Sequence, residues 1–99
     1  MRFRIEYDPA TEDHLAALTA REAAIVLDTV PRQLTHQPTT ITRNRKPLRP
    51  NPLAPWELRI GDLRVYYDVQ DEPEAVVTIR AIGVKDRNRL RIAGKEFLL

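Results

Sequence analysis

The stretch Trp56-Glu57-Leu58-Arg59-Ile60-Gly61-Asp62-Leu63-Arg64-Val65-Tyr66-Tyr67-Asp68-Val69 constrains the fold of this chain more than any other. Two runs alternate apolar and polar side chains, and the turn-forming pair Gly61-Asp62 separates them, which predicts a β-hairpin. A two-residue turn sets the register: Ile60 faces Leu63, Arg59 faces Arg64, Leu58 faces Val65, Glu57 faces Tyr66 and Trp56 faces Tyr67. One face then carries Trp56, Leu58, Ile60, Leu63, Val65 and Tyr67 toward a core, while the other carries Glu57, Arg59, Arg64 and Tyr66. Directly opposed arginines cost a few tenths to about 1 kcal/mol unless something negative lies between them. Either each Arg pairs with an acid on its own face, Glu57 or Asp68, or an anion sits between two guanidinium forks whose bidentate geometry suits a phosphate.

Around this hairpin the periodicities predict one α+β domain over residues 1–99, with no repeat, linker or low-complexity segment. Arg2 to Tyr7 alternates as a half-buried strand, and Asp8-Pro9 with Glu12 and Asp13 reads as a helix start. Thr19-Ala20-Arg21-Glu22 is a capping box opening a second helix, whose apolar stripe is Ala23, Val26, Leu27, Val30 and Leu34. Pro31 should kink that helix or end it at about Val30. Thr39 to Thr42 reads as a short strand, and Arg43 to Pro52 as a stiff proline-rich loop bearing Arg43, Arg45, Lys46 and Arg49. A third strand of the sheet, Ala75 to Gly83, follows the acidic turn Asp71 to Glu74, and the tail from Lys85 should dock its apolar end, Phe97-Leu98-Leu99.

At 99 residues without a single Cys, disulfide frameworks, thiolate zinc sites, iron–sulfur clusters and cysteine nucleophiles are excluded. No apolar run approaches the roughly 20 residues that span a bilayer, and the alternating N-terminus is unlike a signal peptide, so a cytoplasmic location without membrane partners is expected. The net charge of +2 is unevenly spread. Residues 1–38 carry four basic against six acidic side chains, and residues 39–99 carry twelve against eight. From Ala75 to Lys95, Arg80, Lys85, Arg87, Arg89, Arg91 and Lys95 are opposed only by Asp86. Such a gradient suits a polyanionic partner, or else a solvated basic strand and tail. The candidate nucleic-acid contacts are Arg43, Arg45, Lys46, Tyr66, Arg87, Arg89 and Arg91. Tyr66 either stacks a base or covers the sheet, whereas Trp56 and Tyr67 share the core face and should pack.

The succession of strand, two helices and antiparallel strands, with the hairpin above and then Ala81-Ile82-Gly83-Val84-Lys85, closely resembles the RelE/ParE superfamily of bacterial toxins from toxin–antitoxin modules. The resemblance covers essentially the whole chain, and its most specific part is the hairpin with the strand end that follows. It implies a small RelE-like fold with an N-terminal strand and two helices packed on a curved antiparallel sheet of about four strands. It also implies a cognate antitoxin as protein partner. RelE-like members cut messenger RNA in the ribosomal A site, without cofactor or metal; ParE-like members poison DNA gyrase without nuclease chemistry. The catalytic basic residues of the RelE branch fall on Arg59, Arg64 and Lys85. Its C-terminal tyrosine position holds Arg91 here, and a further basic position holds Glu57.

Independently of the resemblance, metal-free RNA cleavage needs a base for the 2′-hydroxyl, an acid for the leaving oxygen and cations for the phosphorane. Arg59 and Arg64 suit the last role, and arginine stays protonated, so it makes a poor base. Lys85 or Glu57 would have to move protons. His14 and His36 fall on or near separate helices and read as surface residues, not as a catalytic pair. No Gly-rich phosphate loop, carboxylate metal cluster or Ser-His-Asp pattern occurs. The function expected is a ribosome-dependent endoribonuclease toxin. The alternatives are a ParE-like gyrase inhibitor and an inactive relative that merely binds RNA.

Overall fold

The computed structural model describes residues 1–98; Leu99, part of the expected docking tail, lies outside them. Along the chain run β1 (Arg4–Tyr7), α1 (Thr11–Ala16), α2 (Ala20–Leu34), β2 (Arg45–Pro47), β3 (Trp56–Ile60), β4 (Leu63–Gln70), β5 (Val76–Asp86), β6 (Arg89–Ile92) and β7 (Lys95–Phe97). The architecture is α+β, with both helices against one seven-stranded sheet ordered β2-β3-β4-β5-β6-β7. β1 is the one parallel member and pairs with β5, from Arg4 opposite Val76 to Tyr7 opposite Ile79.

The hairpin forms with the register the alternation predicts, including Arg59 opposite Arg64. Gly61 supplies the positive φ of 59° at the first turn position, where a side chain would be strained. The capping box also forms: Thr19 Oγ1 accepts from the Glu22 N–H at 3.1 Å, and Glu22 Oε1 accepts from the Thr19 N–H at 2.9 Å.

Elsewhere the sheet corrects the expectation of about four strands. The tail is itself two strands, β6 and β7, joined by two-residue turns at Arg87-Asn88 and Ala93-Gly94. A short piece of the proline-rich loop, β2, pairs with the edge of β3, where Pro47 is tolerated. Thr39 to Thr42 forms no strand, because the Thr42 hydroxyl instead accepts from the N–H groups of Asn44 and Arg45 and closes a local turn. Helix α2 continues through Pro31 to Leu34 instead of stopping at Val30. Pro31 lies on the exposed side, so the bond it removes from the Leu27 carbonyl faces water, while buried Val30 and Leu34 hold the last turn in place. Leu27 belongs to that outer side too, 48% exposed, and not to the core stripe.

β5 organises the molecule. β4 covers one of its edges, and β1 and β6 share the other, which leaves a gap from Arg80 to Gly83. His14 fills the gap: its Nδ1 accepts the Ile82 N–H at 3.2 Å, so this histidine is half-buried structure and not a surface residue. Tyr66 faces Ala81 while Tyr67 faces Ile79, which makes Arg80 an extra, bulged residue. Arg80 bridges Asp8 at 3.3 Å and Asp68 at 3.7 Å.

Two apolar clusters flank the sheet. Between sheet and helices lie Phe3, Val26, Val30, Leu34, Leu58, Val65, Tyr67, Val77, Ile79 and Ile82. Trp56 stacks on Tyr67 there at 6.1 Å, and the Tyr67 hydroxyl donates to the Pro38 carbonyl at 2.6 Å. On the outer face Tyr66, Ala81, Leu90 and Ile92 pack beneath Ala54, Leu48, Leu53 and Phe97. The proline-rich loop covers this second cluster because Asn51 staples it, with Oδ1 accepting from Leu53 and Ala54 and Nδ2 donating to the Arg49 and Ala54 carbonyls.

Candidate functional site

Pairing places a basic patch on the outer face at the β3–β4 turn. Arg59 and Arg64 are direct cross-strand partners, so their Cβ atoms stand about 5 Å apart. The next row holds Lys46, Glu57 and Tyr66, since Lys46 faces Glu57 and Glu57 faces Tyr66. On β5, Gly83 lies opposite Arg64, and Lys85 faces Leu90 of the outer cluster, so Lys85 shares the face.

Both guanidiniums are anchored from one side. Arg59 donates through Nε to Glu57 Oε1 at 3.2 Å, and Lys46 Nζ is 3.8 Å from the same oxygen. Arg64 donates through Nη1 to the carbonyls of Gly61 at 2.7 Å and Leu63 at 2.9 Å. The like charges are thus not paired with each other's neutralising acid. One carboxylate serves Arg59 and Lys46 together, while Arg64 has no carboxylate partner among the described residues. Of the two acids on this face, Glu57 pairs with Arg59, whereas Asp68 pairs with Arg80.

Tyr66 takes the packing role. The residue is 1% exposed, and its phenol pKa is pushed well up, first by burial and then by the Glu57 carboxylate, against the opposing effect of Arg64 and Arg59. It is neither a stacking platform in this arrangement nor a ready acid.

The remaining basic candidates divide among different surfaces. Arg45 faces Leu58 and so points to the helix side, where Nη1 donates to the carbonyls of Gln33 at 2.6 Å and Gln37 at 2.9 Å. It closes the C-terminal end of α2. Arg91 faces Val84 of the helix-side core, away from Arg59 and Arg64, and Arg89 pairs with Glu96 at 3.3 Å. Arg87 sits exposed in the β5–β6 turn with φ 59°, and Arg43 is exposed ahead of β2. The structure therefore unites Arg59, Arg64, Lys46 and Lys85 on one face and does not bring Arg45, Arg89 or Arg91 to it. Sequence reading counted Lys95 in the basic run but did not place it among the candidate contacts; it faces Ile92 and so adds a cation to the outer face. Its signal was the period-2 alternation of the tail.

A groove of about 710 Å³ opens elsewhere on the molecule, lined by Asp8, Asp68, Arg80, Arg49, Leu53 and Phe97 among others, and includes neither Arg59 nor Arg64. The basic patch is an open surface, a shape that suits an extended strand better than a small molecule. Among the described residues no group of three or more His, Cys, Asp or Glu is placed to hold a metal, and no helix is long and apolar enough to cross a membrane.

No family model and no curated protein matches the chain. A solved structure does: a chain of the RelBE2 toxin–antitoxin complex from Mycobacterium tuberculosis aligns with a TM-score of 0.71 and 23% identity, over 86% of this chain and 100% of that one. The fold is therefore a RelE-like one.

Proposed function

We propose that this chain is the toxin of a toxin–antitoxin pair and a cytoplasmic, metal-free endoribonuclease that cuts messenger RNA on the ribosome. The observation that carries the reading is the opposed pair Arg59 and Arg64, each anchored on one side, Arg59 through Nε and Arg64 through Nη1. A phosphodiester between them would meet two preorganised forks, and the charge that develops on the phosphorane is stabilised where the cations already stand. Lys85, on the same face, is the amine available for proton transfer. The likeness to a chain of a toxin–antitoxin complex supports an antitoxin partner, which would silence this surface by covering it. The test is to induce the chain without its neighbouring gene and map transcript ends on translating ribosomes. Growth arrest with new cleavage ends should appear, and both should disappear with Arg64→Ala. A fully toxic Arg64→Ala protein overturns the reading.

One observation favours a second reading. Arg91 occupies the position of the RelE tyrosine and points to the opposite side of the sheet, and Tyr66 is buried, so neither offers an exposed hydroxyl to the patch. A non-catalytic inhibitor of gyrase needs none. A DNA-damage response with intact transcripts selects that alternative, and the absence of any growth arrest selects an inactive RNA-binding relative.

A further inference from the structure

Glu57 is 4% exposed, and the only other buried polar side chain among the described residues is Thr11, whose hydroxyl donates to the Asp8 carbonyl. A carboxylate is costly to bury unless it is paired, and the apolar cluster beside it offers no cation, only the Tyr66 hydroxyl on its cross-strand partner. Its cationic partners lie at the patch: Arg59 Nε at 3.2 Å and Lys46 Nζ at 3.8 Å, both on one oxygen. Because the contact uses Nε, the terminal nitrogens of Arg59 are left without a carboxylate, on a side chain 41% exposed. Arg64, directly opposite, pushes this guanidinium away, and among the described residues only Glu57 holds it.

We propose that Glu57 is a positioning residue that holds the Arg59 fork against the repulsion of Arg64, so that the two arginines together grip one phosphodiester. This rests on the nuclease reading above and deepens it. Glu57 does not act as the base: it is buried beside Tyr66, its cross-strand partner, and its Oε1 faces two cations. It acts on the substrate only through Arg59.

The experiment is a cycle of Glu57→Ala, Arg59→Ala and the double variant, read by single-turnover cleavage of messenger RNA on programmed ribosomes. Glu57→Ala alone should slow cleavage by about 10²-fold, as misplacement of a reacting group by an ångström does, with KM little changed. In the Arg59→Ala background the same change should alter the rate by less than about twofold, because coupled residues lose their effect together. Glu57→Gln keeps an acceptor for Arg59 Nε–H and should retain more activity than Glu57→Ala, with the pH–rate profile unchanged in shape. Equal losses in both backgrounds, or loss of the acidic limb of the profile, overturn the proposal and make Glu57 a base. A second readout needs no cleavage. The Arg59 Nε–H resonance should be shifted and protected from exchange in the unsubstituted protein, and should collapse to the exposed-arginine position in Glu57→Ala. If the unsubstituted protein cuts nothing, the nuclease reading fails, and an Arg59 resonance unmoved by the substitution overturns the positioning as well. Glu57→Gln supplies the same comparison should the alanine variant not fold.

Discussion

Arg59 and Arg64 face each other across β3 and β4, and each is tied down at its back, Arg59 by Glu57 Oε1 at 3.2 Å and Arg64 by the Gly61 and Leu63 carbonyls at 2.7 and 2.9 Å. An arrangement that maintains two opposed cations is one that an anion stabilises. Sodium phosphate should therefore raise the melting temperature more than sodium chloride of equal ionic strength, by the mass-action term for a ligand that binds only the folded state. Arg64→Ala should abolish the difference. Its own stability should stay within about 1 kcal/mol of the parent, since the lost turn bonds are offset by relief of the repulsion. Calorimetric scans in the two salts decide it, and equal melting temperatures in both salts for the parent speak against an anion site.

Arg45 and Lys46 are adjacent cations with opposite fates. Arg45 pairs opposite Leu58 and closes the end of α2, whereas Lys46 pairs opposite Glu57 and joins the patch. Arg45→Ala should cost about 1–2 kcal/mol by removing charge-assisted bonds at a helix C-terminus. It should leave affinity for single-stranded RNA unchanged. Urea unfolding and a binding titration on the same variant separate the two effects.

That one-residue distinction marks what the chain discloses before it is folded. The hairpin register, the capping box and the Trp56–Tyr67 pairing were legible because each depends on residues within one helix start or one hairpin. The α+β class was legible as well. Whether Arg45 or Lys46 reaches the patch depends on how β2 docks on β3, and no local pattern encodes that. The burial of Tyr66, which makes it a packing residue, likewise requires the Asn51-stapled loop to fold back over it. β6 and β7 went unread because the first position of each turn lacks the usual residue: Arg87 and Ala93 adopt φ values of 59° and 52°, where Gly or Asn is the ordinary choice, and only Asn88 and Gly94 after them mark the turns.

Gly83 is required by close packing, not by its backbone angle. A Cβ there would lie 2.5 Å from the Arg91 carbonyl oxygen and 2.9 Å from Ile92 Cγ1. The oxygen belongs to the backbone of β6 and cannot rotate away. Gly83→Ala should therefore push β6 and β7 off β5 and cost about 1–3 kcal/mol, the range for overpacked cores. The urea midpoint should fall, with amide protection lost first in residues 89–97.

Ala93 offers the opposite opportunity. It and Gly94, at φ 52° and 79°, form a turn with both central residues left-handed, and a Cβ-bearing residue other than Asn or Asp is strained there. Ala93→Asn should stabilise the fold by about 0.5–1 kcal/mol, which for a domain of this size raises the melting temperature by roughly 2–8 °C. An unchanged or lowered melting temperature shows that the turn is not strained in solution.

His14 gives the fold a pH dependence of predictable sign. Its Nδ1 accepts the Ile82 N–H in the gap of β5, which only an imidazole unprotonated at that nitrogen can do. Burial lowers its pKa below the ordinary histidine value, with Asp13 and Asp8 opposing in part. The unfolded chain, titrating near pH 6.5, therefore binds the proton more readily than the folded one. The stabilisation is fully present above about pH 6.5 and is lost as pH falls through the folded value. Asp8, lowered chiefly by its bond from the Ala10 N–H, acts in a separate window below about pH 4. His14→Asn keeps an acceptor for Ile82 but removes the titration, so urea midpoints measured from pH 7.5 to 5 should fall for the parent and stay flatter for the variant. Parallel curves for the two proteins would place the proton elsewhere and assign the Ile82 bond no part in acid sensitivity.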